Sequence, residues 1–305
     1  MSKSASGDVI LGGSLRIMSF EQRGPMPLQY HPGAYPGSVL RFRGPVQELK
    51  EPYILCLGGS ETFGRFIHAP FPTQLGDHLS QSVINMGVMN AGLDVLTHDP
   101  AIKAATERAS AVILQVTGAQ NMTNRFYAVH PRRNDRFLKA TTMLKTVYPG
   151  VDFTEFHFTR HLLTHLKSVS EDRFEVLVTE LQSAWLARVT RLMDRIKVPV
   201  HLLWLSNRQP DQPSEEQGLG RDPLFVTQEL LDQAATHAAS LTIAAPDLSN
   251  LARPTRGMFF AAREEAAARM LPGPKAHDVA AAALRGLLDE KGRPSAKGAP
   301  VGDVL

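Results

Sequence analysis

The chain has 305 residues, 43% apolar and 21% charged, with 23 Gly and 21 Pro, an ordinary composition for one large domain or two small ones. Thirty-three Lys and Arg against 30 Asp and Glu leave a net charge of +3, too small and too evenly spread for a nucleic-acid binder. No run approaches the roughly 18 apolar residues of a membrane span, no secretory signal pattern opens the sequence, and the single cysteine, Cys56, excludes an internal disulfide and a multi-cysteine metal site. A cytoplasmic location with no membrane partner is the expectation.

Residues 1–50 are rich in Gly, Pro and aromatics and carry no sustained period, so they read as an irregular lead-in packed on the domain that follows. Regular signals begin at Tyr53-Ile54-Leu55-Cys56-Leu57, an apolar run ended by Gly58-Gly59 that suits a buried parallel strand. A second run spans 83–86 and ends at Gly87; a third spans 111–116 and ends at Thr117-Gly118. Helical patterns cover 98–109, 171–196, 223–239 and about 274–290, and strands follow at 200–205 and, more weakly, 241–244. The long one carries Phe174, Leu177, Leu181, Trp185, Val189 and Leu192 at spacings of three and four, one amphipathic helix. Alternating strands and helices predict a parallel sheet covered on both faces. The segment 118–170 breaks the rhythm after strand three and reads as an insertion, a cap or binding segment. The tail 291–305 is polar and Gly/Pro-rich and reads as disordered. The expected organisation is an α/β domain over 51–290, a flavodoxin-like three-layer sandwich with a five-stranded parallel sheet.

The turn after strand one places Ser60 at the carboxyl edge of the sheet, where ligands of open α/β folds bind. Gly58 and Gly59 permit a tight turn, and Ser60 is either a helix N-cap or a reactive hydroxyl. Gly58-Gly59-Ser60-Glu61-Thr62-Phe63-Gly64 resembles the first block of the SGNH/GDSL hydrolase superfamily, where a G-D-S or G-G-S turn carries the nucleophile. Asn85-Met86-Gly87 is similar to the second block, whose glycine amide joins the oxyanion hole, and Gly118-Ala119-Gln120-Asn121 is similar to the third, G-x-N-D. The resemblance covers residues 53 to about 125 and fits the later element order to about 289.

That resemblance implies a serine hydrolase or acyltransferase acting on an O-acyl ester of a small molecule or carbohydrate, with no cofactor and no metal. Ser60 would attack, and the amides of Ser60 and Gly87 with Gln120 or Asn121 would hold the oxyanion. Gln120 stands where the family has asparagine; either it donates instead, or a bulge presents Asn121. The family's D-x-x-H before the last helix leaves two registers. In the first, His277 is the general base and Asp278 or Asp247 orients its ring, because Pro274 occupies the aspartate position. In the second, Leu271 replaces the histidine and His277 lies in the first turn of the last helix, with Pro274 at its start and Gly273 as cap. The alternative function is then a catalytically inactive SGNH-like protein that binds an anionic or carbohydrate ligand through the Arg-rich insertion.

The insertion carries Arg125, His130, Arg132, Arg133 and Arg136 among aromatics just beyond strand three. Guanidinium forks bind carboxylate, sulfate or phosphate bidentately, so these residues are the candidate anion site; pairing with Asp135 and Glu155 is the structural alternative. His157, His161 and His165 recur at spacings of four. Eight residues of helix span about 12 Å, too far for one compact metal site, and a polar helix face accounts for them.

Overall fold

The apolar runs form strands within two residues of their expected ends: β1 (Tyr53–Gly58), β2 (Val83–Gly87), β3 (Ala109–Gln115), β6 (Val200–Leu205) and β7 (Ser240–Ala244). The computed structural model describes residues 27–50, 52–79, 81–212, 218–246 and 255–292. The five strands are parallel, in the order β2-β1-β3-β6-β7. β1 therefore lies between β2 and β3, and the loops after these three strands leave the same edge side by side, which creates a crevice there.

Side-chain alternation divides the sheet into two apolar faces. Ile54, Cys56, Ile113, Leu203 and Leu205 meet Phe71 and Leu75 of α2 (Phe71–His78) and Ala276, Ala280 and Leu284 of α10 (Pro274–Gly292). Tyr53, Leu55, Leu57, Leu114, Leu202 and Trp204 face the larger cluster on the other side. That cluster contains α3 (Leu93–His98), α4 (Pro100–Thr106), α6 (Thr159–Val169), α7 (Glu171–Arg195) and α8 (Gln228–Ala235). The result is the three-layer α/β sandwich. All six apolar residues that predict the long helix are buried along α7.

Two predicted helices differ in extent. The 98–109 pattern shortens to α4, which starts at Pro100; the separate helix α3 ends just before it at His98, because proline biases the residue before it to extended backbone and lacks an N–H. Asp99 caps α4, its carboxylate accepting from the amides of Ala101 (3.0 Å) and Ile102 (3.1 Å). The 223–239 pattern shortens to α8, started by the Thr227 cap.

The insertion is ordered structure. The hairpin of β4 (Tyr127–His130) and β5 (Arg133–Ala140) is followed by α5 (Thr142–Val147) and α6. Tyr127, Val129 and Phe137 join the main core. Residues 27–50 also lie on the domain: Tyr35, Leu40 and Phe42 are buried in that same core. The Arg43 guanidinium donates to the carbonyls of Phe63, Gly64, Ile67 and His68 at 2.8–3.3 Å. The expected disordered tail falls outside the described residues from 293 onward. Among the described residues, no helix is long and apolar enough to cross a membrane.

Candidate ligand cleft at the carboxyl edge of the sheet

Three loops and two distant segments enclose a cleft of about 190 Å³. After β1, α1 (Ser60–Phe63) begins at once. A side chain at Gly58 would collide with Thr62 Oγ1 and the Gln115 side chain, so only glycine lets the strand end so close to β3. Gln115, 2% exposed, ties the two strand ends together. Its Oε1 accepts from the Gly59 amide (2.7 Å) and from the Thr62 hydroxyl (3.2 Å), and its Nε2 donates to the Val116 carbonyl (2.7 Å).

Ser60 lines the cleft and is 7% exposed. Its Oγ accepts from the backbone amide of Asn90 at 2.9 Å and donates to Asn90 Oδ1 at 3.3 Å. Asn90 holds a φ of +58°, the left-handed region that asparagine tolerates better than most residues. The serine hydroxyl is thus engaged by the turn after β2, but through Asn90. Gly87 does not line the cleft; its amide donates to Asn85 Oδ1 at 2.9 Å. Its missing side chain matters instead for packing, because a Cβ there would overlap the backbone of Thr62 and Phe63 in α1. The expected oxyanion role of Gly87 is corrected on that ground: the amide already has a partner in its own turn.

After β3, Thr117, Gly118, Gln120 and Asn121 all line the cleft. Gln120 Nε2 donates to Asp222 Oδ1 at 2.7 Å, and its Oε1 is buried without a partner. Asn121 Oδ1 accepts from the Thr159 hydroxyl at 2.7 Å, which turns the carboxamide so that its NH2 is left for the cleft. Of the two expected donors, Asn121 keeps a free one.

The final wall is Ala267, Met270 and Leu271. The second register therefore describes the chain: Leu271 faces the cleft, and α10 starts at Pro274, with His277 in its first turn. His277 is 1% exposed, its ring lies against Phe71, and its Nδ1 accepts from the Phe71 amide at 3.2 Å. Burial, with Arg43 adding to it, pushes its pKa down to about 3. Its place as a general base is corrected: the ring is a neutral core acceptor that fixes α2 against α10. Asp278 does not orient it; its Oδ1 accepts from Gln74 Nε2 at 2.9 Å on the solvent side. Asp247 lies outside the described residues. All eleven histidines of the chain lie among the described residues, and none lines the cleft.

The arginine-rich segment also goes elsewhere. None of Arg125, His130, Arg132, Arg133 and Arg136 lines the cleft. Arg125 pairs with Glu180 at 3.5 Å, Arg136 lies over the Phe158 ring, Arg132 is exposed and donates its amide to His130 Nδ1, and Arg133 reaches Asp135 at 3.9 Å. The reason is the hairpin: alternation along β5 sends Arg133 outward while Asn134 is fully buried. The segment touches the cleft wall through Asp135, whose Oδ2 accepts from Asn90 Nδ2 at 3.2 Å. His157, His161 and His165 are exposed, the last two beside the Phe156 ring.

Sequence reasoning missed the charged residues of the cleft: Glu61, Arg65 and Asp222. Glu61 is half-buried in the first turn of α1; burial, and then the neighbouring Asp222 carboxylate, push its pKa up to about 7 against hydrogen bonds from its own amide and from Gln115. Arg65 pairs with Glu264 at 3.2 Å, and Arg160 of α6 pairs with Asp222 at 3.1 Å. The signal for Glu61 was its adjacency to Ser60; nothing in the local sequence marks Asp222, which arrives from a loop about a hundred residues beyond β3.

The family model described as "Domain of unknown function (DUF6473)" matches residues 18–291. No curated protein matches the chain. Among solved structures, the chain aligns with the lipase Lip_vut3 from a goat rumen metagenome at 14% identity and a TM-score of 0.40, covering 77% of this chain and 96% of that one. It also aligns with a protein from Lactobacillus plantarum at 15% identity and a TM-score of 0.38, covering 79% and 97%.

Proposed function

The chain belongs to the DUF6473 family, and with no activity carried over from that membership, we propose that it binds a small hydroxylated molecule, a sugar or polyol, in the cleft around Ser60, without Ser–His catalysis. One observation carries this reading: the cleft is lined by hydroxyls and carboxamides (Ser60, Asn90, Gln115, Thr117, Gln120 and Asn121) and by no histidine. A serine hydroxyl is a weak nucleophile until a base takes its proton, and here its hydrogen bonds go to Asn90. Carboxamides and hydroxyls both donate and accept, which suits the hydroxyl groups of a polyol. The SGNH-like order of the three strand-end loops supports the cleft as the binding place.

An ester hydrolase on the same scaffold would have to draw its base from Glu61, the cleft group whose carboxyl is held near neutrality. Two measurements separate the readings. A fluorophosphonate probe is expected to leave Ser60 unlabelled, and calorimetric titration with neutral sugars and polyols is expected to give saturable binding. Asn121→Ala should weaken that binding by about ten-fold, one lost hydrogen bond to a bound ligand. Labelling of wild type that disappears in Ser60→Ala would overturn the binding reading in favour of hydrolysis.

A further inference from the structure

The sheet has two edge strands, and the chain screens one of them. Tyr35, Arg43 and Gln47, from the segment before β1, line a recess together with Val83 and Asn85 of the β2 edge. The other edge is β7, Ser240-Leu241-Thr242-Ile243-Ala244, and among the described residues no strand or loop bonds to its outer side. The Ala244 carbonyl turns inward, accepting from the Ser206 amide at 3.2 Å. Successive residues of a strand direct their backbone groups to opposite sides, so Leu241 and Ile243 present theirs outward. Natural sheets protect such an edge with a charge, a proline or a bulge. β7 has none of these: its five residues are uncharged and pair with β6 in unbroken register. Ile243 is 40% exposed, on the face it shares with Trp204 and the half-buried Leu241. On the opposite face α10 packs over Ala244. Asp278 ties one flank of α10 to Gln74 of α2; away from it, Val279, Ala282, Ala283 and Gly286 form an exposed, uncharged strip, and a Cβ at Gly286 would meet open space.

We infer that the outer edge of β7 pairs with β7 of a second copy of this chain, antiparallel about a two-fold axis centred on Thr242. The strand is self-complementary in that register. The outward backbone groups of Leu241 and Ile243 exchange hydrogen bonds with those of Ile243 and Leu241 in the other copy, and each exposed Ile243 side chain covers the opposite Leu241. Thr242 meets its own counterpart on the α10 side of the sheet, where the small residues of the α10 strip leave room for a second helix. An isologous contact of this kind closes at two copies. The strands of the second copy run the opposite way, so the two Ser60 clefts open at opposite ends of one continuous sheet. A ladder this short falls below the roughly 1,200 Å² of a tight interface, so the dimer dissociates on dilution.

Sedimentation equilibrium of the full chain over a wide concentration range tests the association, and should show a monomer passing to a dimer and no further. Ile243→Lys places two like charges on the paired edge and should raise the dissociation constant about ten-fold or more. Two cysteine variants test the register. In a non-hydrogen-bonded pair the Cα atoms lie about 4.5 Å apart, within disulfide reach, so Thr242→Cys should form a covalent dimer under mild oxidation. Ser240→Cys stands opposite Ala244, leaving its thiol more than about 10 Å from its counterpart, and should not. Cys56, the one native thiol, is buried. Should Ile243→Lys fold poorly, the two cysteine variants decide. A monomer at every concentration, a dimer that Ile243→Lys leaves intact, or equal cross-linking of the two cysteine variants overturns the inference.

Discussion

A serine and a histidine that look like a catalytic pair in the sequence part company in space. Ser60 is held by Asn90 at the cleft, and His277 by Phe71 in the layer between α2 and α10. Removing the hydroxyl in Ser60→Ala leaves the Asn90 amide without its partner and should cost about 1 kcal/mol of stability, read from urea unfolding. His277 gives a pH signature. Its pKa is about 3 in the folded chain against 6.5 for an ordinary histidine, so below about pH 6.5 the unfolded chain binds a proton that the folded one excludes. Its contribution is present above 6.5 and falls as pH drops toward 3, by up to about 1.4 kcal/mol per unit. His277→Asn keeps an acceptor for the Phe71 amide and cannot titrate. Between pH 7 and pH 4.5 it should therefore lose less stability than wild type; parallel losses would show that His277 is not the group responsible.

At the scale of elements, the insertion is joined to the sandwich by one buried carboxamide. Asn134 of β5 is fully buried; its Oδ1 accepts from the amides of Gly92 (2.9 Å) and Val95 (3.1 Å) at the start of α3, and its Nδ2 donates to the His130 carbonyl (3.0 Å). It supplies, from another element, the cap that α3 lacks in its own sequence. Asn134→Leu has a similar volume and leaves all three groups unpaired, so thermal or urea unfolding should show a loss of about 3 kcal/mol or more. The same change should disturb the cleft, because the next residue, Asp135, holds Asn90. A variant with native stability would mean that the hairpin is not anchored there.

For the whole molecule, the segment before the first strand acts as a strap. Arg43 spreads one guanidinium over four carbonyls of the stretch from Phe63 to His68, the part of the chain that carries α1 away from Ser60. Arg43→Met keeps the apolar stem and removes the donors, and should lower stability by about 2 kcal/mol. Lysine offers no planar fork, so Arg43→Lys should recover little of it. Limited proteolysis within residues 27–50 should accelerate in both variants; unchanged cutting would show that the apolar contacts of Tyr35, Leu40 and Phe42 hold the strap alone.

Short apolar runs ended by glycine, and their alternation with amphipathic three-four repeats, determined the strands, their parallel arrangement and the long helix α7. The same pattern also placed Ser60, Gln120 and Asn121 directly after β1 and β3; the strand order β2-β1-β3 then brings them to one edge of the sheet. The roles within the cleft were decided by the tertiary structure. Whether His277 or Leu271 faces Ser60 depends on where α10 starts, and a single turn separates a base from a core acceptor. Which amide meets Ser60 depends on a left-handed Asn90. The charge of the cleft depends in part on Asp222, brought in by a loop far along the chain, whereas the arginines nearest in sequence, Arg125, Arg132, Arg133 and Arg136, are exposed and line none of it. Local pattern fixes which side of an element is apolar; the meeting of polar groups from distant segments follows only from how the elements pack.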